Sequence, residues 1–412
     1  MRKCIYCNQD KDESEFSLEH IFPTSLGGKV ASDDVFKTRS VCKECNNKLG
    51  LYVDGSFLKS FFIQNQKAMN YLNYIDFNND KYTLPFIFVG KKRKIKHDDY
   101  KFCDIWLWQG GSKVYHFHNN YTEPFDTYSG GNPIAIKDKK RAGEAYLISS
   151  TDNLLWIKKL LLSFKEYFGK TKRYAVNLSI QNENDILFNP SDKEQAIIDK
   201  IYNLGEDGLI KTRIAINIYF EIRFLSKLSL ALGHSLFGNS YLNTSYAQIL
   251  NKTIWEKDNK QIENNKLKIL NFFHSPDISN SFPSEILAFK GGHTIILSII
   301  YNKLVLVLYL SGNIKPHIME ITDQLNTFGK NNILEKYPNG LVWVLVQPLN
   351  IFSGPFGLPE YLAYQSGDKN FITDLVDIEN SYIPFEDLPP FILNKTNLKK
   401  SLQNNTDEDL EF

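Results

Sequence analysis

The chain has 412 residues, 42% of them apolar and 14% aromatic, with a formal net charge of +1 at pH 7. That length carries two or three domains with cores of their own, and the composition excludes a disordered chain. The near-neutral balance excludes a protein that grips polyanions with its whole surface, and no apolar run reaches membrane length, since the best, residues 294–310, is broken by Asn302 and Lys303.

Four of the five cysteines fall in the first 50 residues, as Cys4-Ile5-Tyr6-Cys7 and Cys42-Lys43-Glu44-Cys45. Two Cys-x-x-Cys turns predict a tetrahedral four-sulfur zinc site. Such a site is closed, so its zinc holds structure and leaves no open position for a substrate. It would pin a piece too small to fold on its own core. Between the pairs, Ser17-Leu18-Glu19-His20-Ile21 reads as a strand end and Pro23 to Gly28 as the following turn. A helix is expected from Cys45, with Asn46 on its first turn. With Met1-Arg2-Lys3 leading into the motif without a signal-peptide pattern, and a lone Cys103 besides, the expected compartment is the cytoplasm.

Cys4-x-x-Cys7, Glu19-His20-Ile21-x-Pro23, Gly27-Gly28 and Cys42-x-x-Cys45-Asn46 together resemble the zinc-ribbon branch of the HNH (ββα-metal) endonucleases, over about residues 1–55. The resemblance implies that His20 is the general base that activates water. It further implies that Glu19 and Asn46 hold one divalent metal, Mg2+ or Mn2+. Neutral imidazole takes a proton near pH 7, and oxygen ligands suit a hard cation. The family commonly places an Asn about five residues before the second cysteine pair. Here that position is Lys37, with Thr38, Asp33 and Asp34 as candidate replacements, and Asn47 competes with Asn46 as ligand.

Residues 1–55 hold eight Lys/Arg against nine Asp/Glu, so this piece attracts DNA weakly by itself. A helix is expected over 56–74. Residues 81–173 then carry 18 Lys/Arg against nine Asp/Glu. They include the clusters Lys91-Lys92-Arg93-Lys94 and 137–141, between strand-like runs at 83–89, 103–108 and 114–118. The first cluster is the candidate nucleic-acid contact. His116 and His118 share one strand face with no carboxylate in view, and are read as structural.

Helices are expected at 152–169 and 191–203, the second with Ser191 and Glu194 as a capping box, and a strand at 174–180. Residues 219–238 form the most apolar helix, and Arg223, Lys227 and His234 lie along nearly one side of it. That stripe is either paired to carboxylates elsewhere or a pocket for an anionic ligand. A companion helix is expected at 241–255. Strands follow at 286–289, 293–300, 304–310 and 316–321, with turn signals between them, and a further strand at 341–346. The tail is acidic.

The expected architecture is α+β: a zinc-bound HNH piece (1–55), a connecting helix (56–80), a basic α+β region (81–203), a helical hairpin with antiparallel sheet (204–395) and an acidic tail (396–412). The expected function is metal-dependent hydrolysis of DNA phosphodiesters, with no membrane. Small HNH modules fused to bulky second domains resemble prokaryotic anti-phage effectors. There the second part senses a nucleotide or recruits a guide-carrying protein, and a homo-oligomer is the third option. The competing readings are a zinc ribbon that only binds nucleic acid and a modification-dependent restriction endonuclease.

Overall fold

A computed structural model describes residues 1–91, 95–119, 142–176, 187–203, 214, 217–265, 267, 269–270, 284–312, 315–328 and 331–392. The basic positions 92–94 and 137–141 and the acidic tail 396–412 lie outside the described residues. The chain divides into two compact units. One joins Met1–Tyr74 to Ile216–Tyr382, and the other joins Ile75–Ala215 to Ile383–Phe412. The sequential division expected at 55/56 and 203/204 therefore differs from the one observed. The N-terminal piece shares a hydrophobic core with segments more than 200 residues away.

In the first unit, the two-residue ladder of β1 (Arg2–Lys3) and β2 (Asp10–Lys11) frames the first cysteine turn. Strands β3 (Phe16–His20) and β4 (Lys37–Cys42) form an antiparallel hairpin, His20 lying opposite Lys37 and Glu19 opposite Thr38, with an irregularity between Ser17 and Glu19. Helix α1 (Lys43–Leu49) follows at once, its N-cap Cys42 accepting from the Cys45 N–H. It runs through a π-helical turn, Gly50–Asp54, into α2 (Gly55–Leu58). A break at Lys59–Ser60 precedes α3 (Phe61–Asn73). The helix expected from residue 56 is thus two helices.

The second unit carries a five-stranded sheet in the order β5 (Ile87–Lys91), β6 (Phe102–Leu107), β7 (Lys113–His118), β8 (Glu144–Ile148), β9 (Lys172–Val176). All neighbours are antiparallel except β8 and β9. That parallel pair needs a crossover, which α4 (Leu154–Tyr167) supplies. Helix α5 (Asp192–Asn203) closes this part, with Glu194 accepting from the Ser191 N–H as the capping box predicts. The chain returns here near its end. Trp156 stacks on Phe391 at 4.2 Å, and its indole N–H donates to the Pro389 carbonyl.

Back in the first unit, α6 (Ile218–Phe237) is apolar nearly all round, as a fully buried helix must be. Gly233 lets it approach α7 (Asn239–Leu242), because a Cβ there would sit 2.2 Å from the Tyr241 ring. Helices α8 (Ser245–Trp255) and α9 (Asn259–Asn264) follow. The main sheet has six antiparallel strands: β10 (Ile269–Leu270), β13 (His317–Thr322), β12 (Lys303–Tyr309), β11 (His293–Ile300), β14 (Gly340–Val346) and β15 (Ile351–Gly357), in that spatial order. One face buries Ile295, Leu297, Leu306 and Trp343 with the N-terminal piece, α6 and α8. The other buries Ile296, Val307 and Val344 with Tyr361 and Tyr364 of α12 (Leu358–Gln365) and Leu375 of α13 (Asp374–Asn380).

Being covered on both faces, these strands read as continuous apolar runs. Two expectations differ. The strand expected at 286–289 begins as a helical turn, α10 (Ser284–Leu287). Strand β15 was hidden by Ser353-Gly354-Pro355, which an edge strand tolerates. A short α11 (Asn332–Lys336) links β13 to β14.

Candidate functional site

Two backbone turns bring the four sulfurs of Cys4, Cys7, Cys42 and Cys45 within 4.8 Å of one another. The Cys42 N–H donates to Cys4 Sγ (3.4 Å) and the Cys45 N–H to Cys42 Sγ (3.5 Å), the contacts expected around thiolates. Hydrogen bonding from Cys45 holds the Cys4 thiol well below its ordinary range. Zinc–sulfur bonds place tetrahedral sulfurs about 3.8 Å apart, so this donor set fits zinc with little movement. The cluster is built into the body: Asn251 and Trp255 of α8 donate to the carbonyls of Ile5 (3.0 Å) and Tyr6 (3.0 Å).

His20 ends β3, partly exposed, with Nδ1 buried and without a hydrogen-bond partner among the described residues. Partial burial, then the nearby Lys37 and Lys29, hold its pKa below the ordinary histidine value, with the Gly28 backbone pulling the other way. The ring is therefore neutral at pH 7. The turn behind it depends on Gly28, where a Cβ would collide with the Phe22 carbonyl oxygen at 1.7 Å. The Gly28 N–H donates to the Pro23 carbonyl at 2.9 Å. A side chain at 28 would open the loop that backs His20.

Asn46 uses its amide N–H groups on β3, donating to Ser17 Oγ (3.0 Å) and the Leu18 carbonyl (3.1 Å). Its Oδ1 remains as an oxygen donor, while Asn47 is exposed. At the position of the family's middle Asn, Lys37 lies across from His20 and donates to the Ser32 carbonyl (3.1 Å). Thr38 accepts from the Ser40 N–H. Asp33 ties the loop down, accepting from the Val35 N–H (3.0 Å) and from Trp343 Nε1 (3.1 Å).

Glu19 points inward and is only 4% exposed. Its Oε1 lies 2.7 Å from Lys227 Nζ, which also meets Asp54 Oδ2 at 2.6 Å. The π turn ending at Asp54 brings that carboxylate to the lysine. Burial raises the pKa of both carboxylates, with Lys227 pulling the other way. For Lys227, burial alone would lower the pKa, but Asp54 and Glu19 outweigh it and raise it. The second Glu19 oxygen and Asn46 Oδ1, oxygens of the kind a hard divalent cation takes, have no part in these contacts. The ammonium beside Glu19 counts against that cation's charge.

The stripe of Arg223, Lys227 and His234 does not converge on an anionic ligand. Lys227 is committed to Glu19 and Asp54. Arg223 donates to the Glu256 carbonyl (2.9 Å) and Asn259 Oδ1 (3.4 Å), and His234 meets Asn239 Oδ1 (3.2 Å). Side chains at steps of four and seven share a helix side but can end in different surroundings. Of the basic cluster at 91–94, only Lys91 is described, its ammonium 5.6 Å from the Phe102 ring centroid.

Sequence reasoning missed Asp54 and Asp104. Both become visible only once distant segments pair, Asp54 with α6 and Asp104 across from His116. Among the described residues no helix is long and apolar enough to cross a membrane. No curated protein and no solved structure matches the chain. Residues 4–62 match the family model described as HNH endonuclease, so this N-terminal segment, with its four clustered cysteines, carries the HNH signature while the rest of the chain is unassigned.

Proposed function

We propose that the protein is a metal-dependent endonuclease that hydrolyses DNA phosphodiesters at His20. The observation that carries this reading is the neutral, partly exposed His20 inside the matched HNH segment, beside a cysteine cluster built for zinc. His20 takes a proton from water as the water oxygen attacks phosphorus, and the P–O bond to the leaving strand breaks. Partial burial, with Lys37 and Lys29, keeps the imidazole unprotonated before the step. Asn46 holds the start of α1 against β3, fixing the base relative to the helix. Glu19 and Asn46 would hold one Mg2+ or Mn2+, which when bound stabilises developing charge on phosphorus and the leaving oxygen. The zinc is structural.

The basic stretch 81–173 supplies the phosphate affinity that residues 1–55 lack, and delivers DNA to His20. The role is that of a cytoplasmic anti-phage effector triggered by a nucleotide or recruited protein. One observation favours the alternative, a zinc ribbon that only binds nucleic acid: Lys227 neutralises the carboxylate proposed to hold the cation. Supercoiled plasmid incubated with purified protein and Mg2+ separates the two. Nicking that disappears in His20→Ala and in chelator supports the nuclease. DNA binding without nicking, with or without modified bases in the plasmid, overturns it.

A further inference from the structure

The five-stranded sheet contains a second group of metal-ligating side chains, outside the HNH segment. Asp104 on β6 lies directly across from His116 on β7, and His118 follows two residues on, so all three project from one face. Their ligand atoms fall within 4.8 Å of one another, and the residues are 2%, 3% and 1% exposed. The two imidazole centroids are 4.9 Å apart.

A simple ion pair accounts poorly for this group. Asp104 Oδ2 approaches His118 Nε2 to 3.0 Å, yet the two are not aligned as a hydrogen bond. Both ring nitrogens of His118, and Oδ1 of Asp104, are buried with no hydrogen-bond partner among the described residues. Leaving such groups unpaired in the interior is costly, and more so for a charge. The opposite face of the same sheet shows a satisfied carboxylate: Glu144 accepts from the Tyr146 hydroxyl (2.6 Å) and meets His97 Nε2 (3.1 Å). Two close donors aimed past each other are what a shared cation produces.

We propose that Asp104, His116 and His118 bind a divalent transition ion of the zinc class. Two imidazoles and a carboxylate suit zinc, with bonds near 2.0–2.1 Å that set ligand atoms about 3.3 Å apart, a modest contraction from the spacing here. His116 Nε2 lies 3.3 Å from the Ala142 carbonyl, which can only accept. The proton is therefore on Nε2 and the lone pair on Nδ1, the outer hydrogen bond that orients a metal-bound histidine. Phe168 against His116 and Phe102 against His118 supply an apolar shell. The ion pins β6 to β7 and leaves one coordination position for water.

The test is metal stoichiometry of the full-length protein, with Zn2+ and then Co2+ as probes. Wild type is expected to hold two equivalents of zinc per chain. Its cobalt form should show thiolate-to-cobalt bands from Cys4, Cys7, Cys42 and Cys45 together with weaker bands from nitrogen and oxygen ligation. Asp104→Asn, nearly isosteric, and His118→Gln should each lose one equivalent while the thiolate bands stay. Affinity at the altered site should fall at least as far as the ~10–100-fold that loss of an outer-sphere contact costs. One equivalent in wild type with a purely thiolate spectrum overturns the proposal whatever the variants do, as do two equivalents in both variants.

Discussion

Lys227→Met tests whether the candidate active site depends on a helix two hundred residues away. The ammonium is 2% exposed and lies 2.7 Å from Glu19 and 2.6 Å from Asp54. Methionine keeps the volume and removes the charge, leaving two buried carboxylates facing each other. Breaking a buried ion pair by removing one side costs about 3–5 kcal/mol. In a unit of this size that corresponds to a melting shift of roughly 6–20 °C.

The loss has a defined pH dependence. Burial already raises the pKa of Glu19 and Asp54, and without the lysine both rise further. Acids with raised folded-state pKa values weaken the fold above those values and cease to do so once protonated. The variant's deficit should therefore be largest at neutral to alkaline pH and shrink as pH falls through the raised carboxylate range. In wild type, the raised Lys227 pKa adds stability below the ordinary lysine value and loses it as pH rises through the folded one. Thermal melts at several pH values read both effects. Combining Lys227→Met with Glu19→Gln and Asp54→Asn should recover most of the loss, since no buried charge then stands alone. A single variant that melts within about 2 °C of wild type at pH 7.5, with no improvement in acid, would refute the reasoning.

His20→Ala should reduce plasmid nicking about 10²–10⁴-fold with a melting change near zero, because the ring is partly exposed and acts by proton transfer; nicking at the wild-type rate rejects the base assignment. Cys42→Ser should remove zinc and loosen α8 as well as the N-terminal piece, because Cys4, Cys42, Leu250 and Ile254 share one core. Hydrogen exchange that leaves α8 protected in that variant counts against it. Neutralising Lys91, Lys92, Arg93 and Lys94 together should flatten the dependence of log DNA affinity on log salt by up to ~3.6, if each meets a phosphate. An unchanged slope makes them ordinary solvated residues.

What could be read in advance was local. Cys4 and Cys7, Cys42 and Cys45, and the Glu19-His20 step each lie within a few residues, so spacing alone exposes their chemistry. The strands 293–300, 304–310 and 341–346 were legible because burial on both faces leaves unbroken apolar runs between clear turns. What depended on distant pairing was not legible. His116 and His118 lacked a carboxylate only because Asp104 comes from the neighbouring strand, and its register with His116 cannot be counted along the chain. The stripe of Arg223, Lys227 and His234 has the right helical spacing for a common ligand, but α6 threads past several segments and each side chain meets a different one.

The placement of Lys227 bears on how the HNH segment came to have a stable site. About 55 residues with a four-sulfur cluster cannot bury much apolar surface alone. Here Leu49, Val53 and Phe57 lie in one core with Phe224, Leu228 and Leu232 of α6. With the helix packed into that core, Lys227 is the α6 side chain that reaches both Glu19 and Asp54. The charge at Glu19 is thus set jointly by the HNH segment and by α6. A change on α6 that moves the lysine by a few ångströms changes the electrostatics at Glu19 without touching any residue of the motif. Substitutions in α6 should therefore alter the divalent-cation dependence of nicking while leaving the zinc content unchanged.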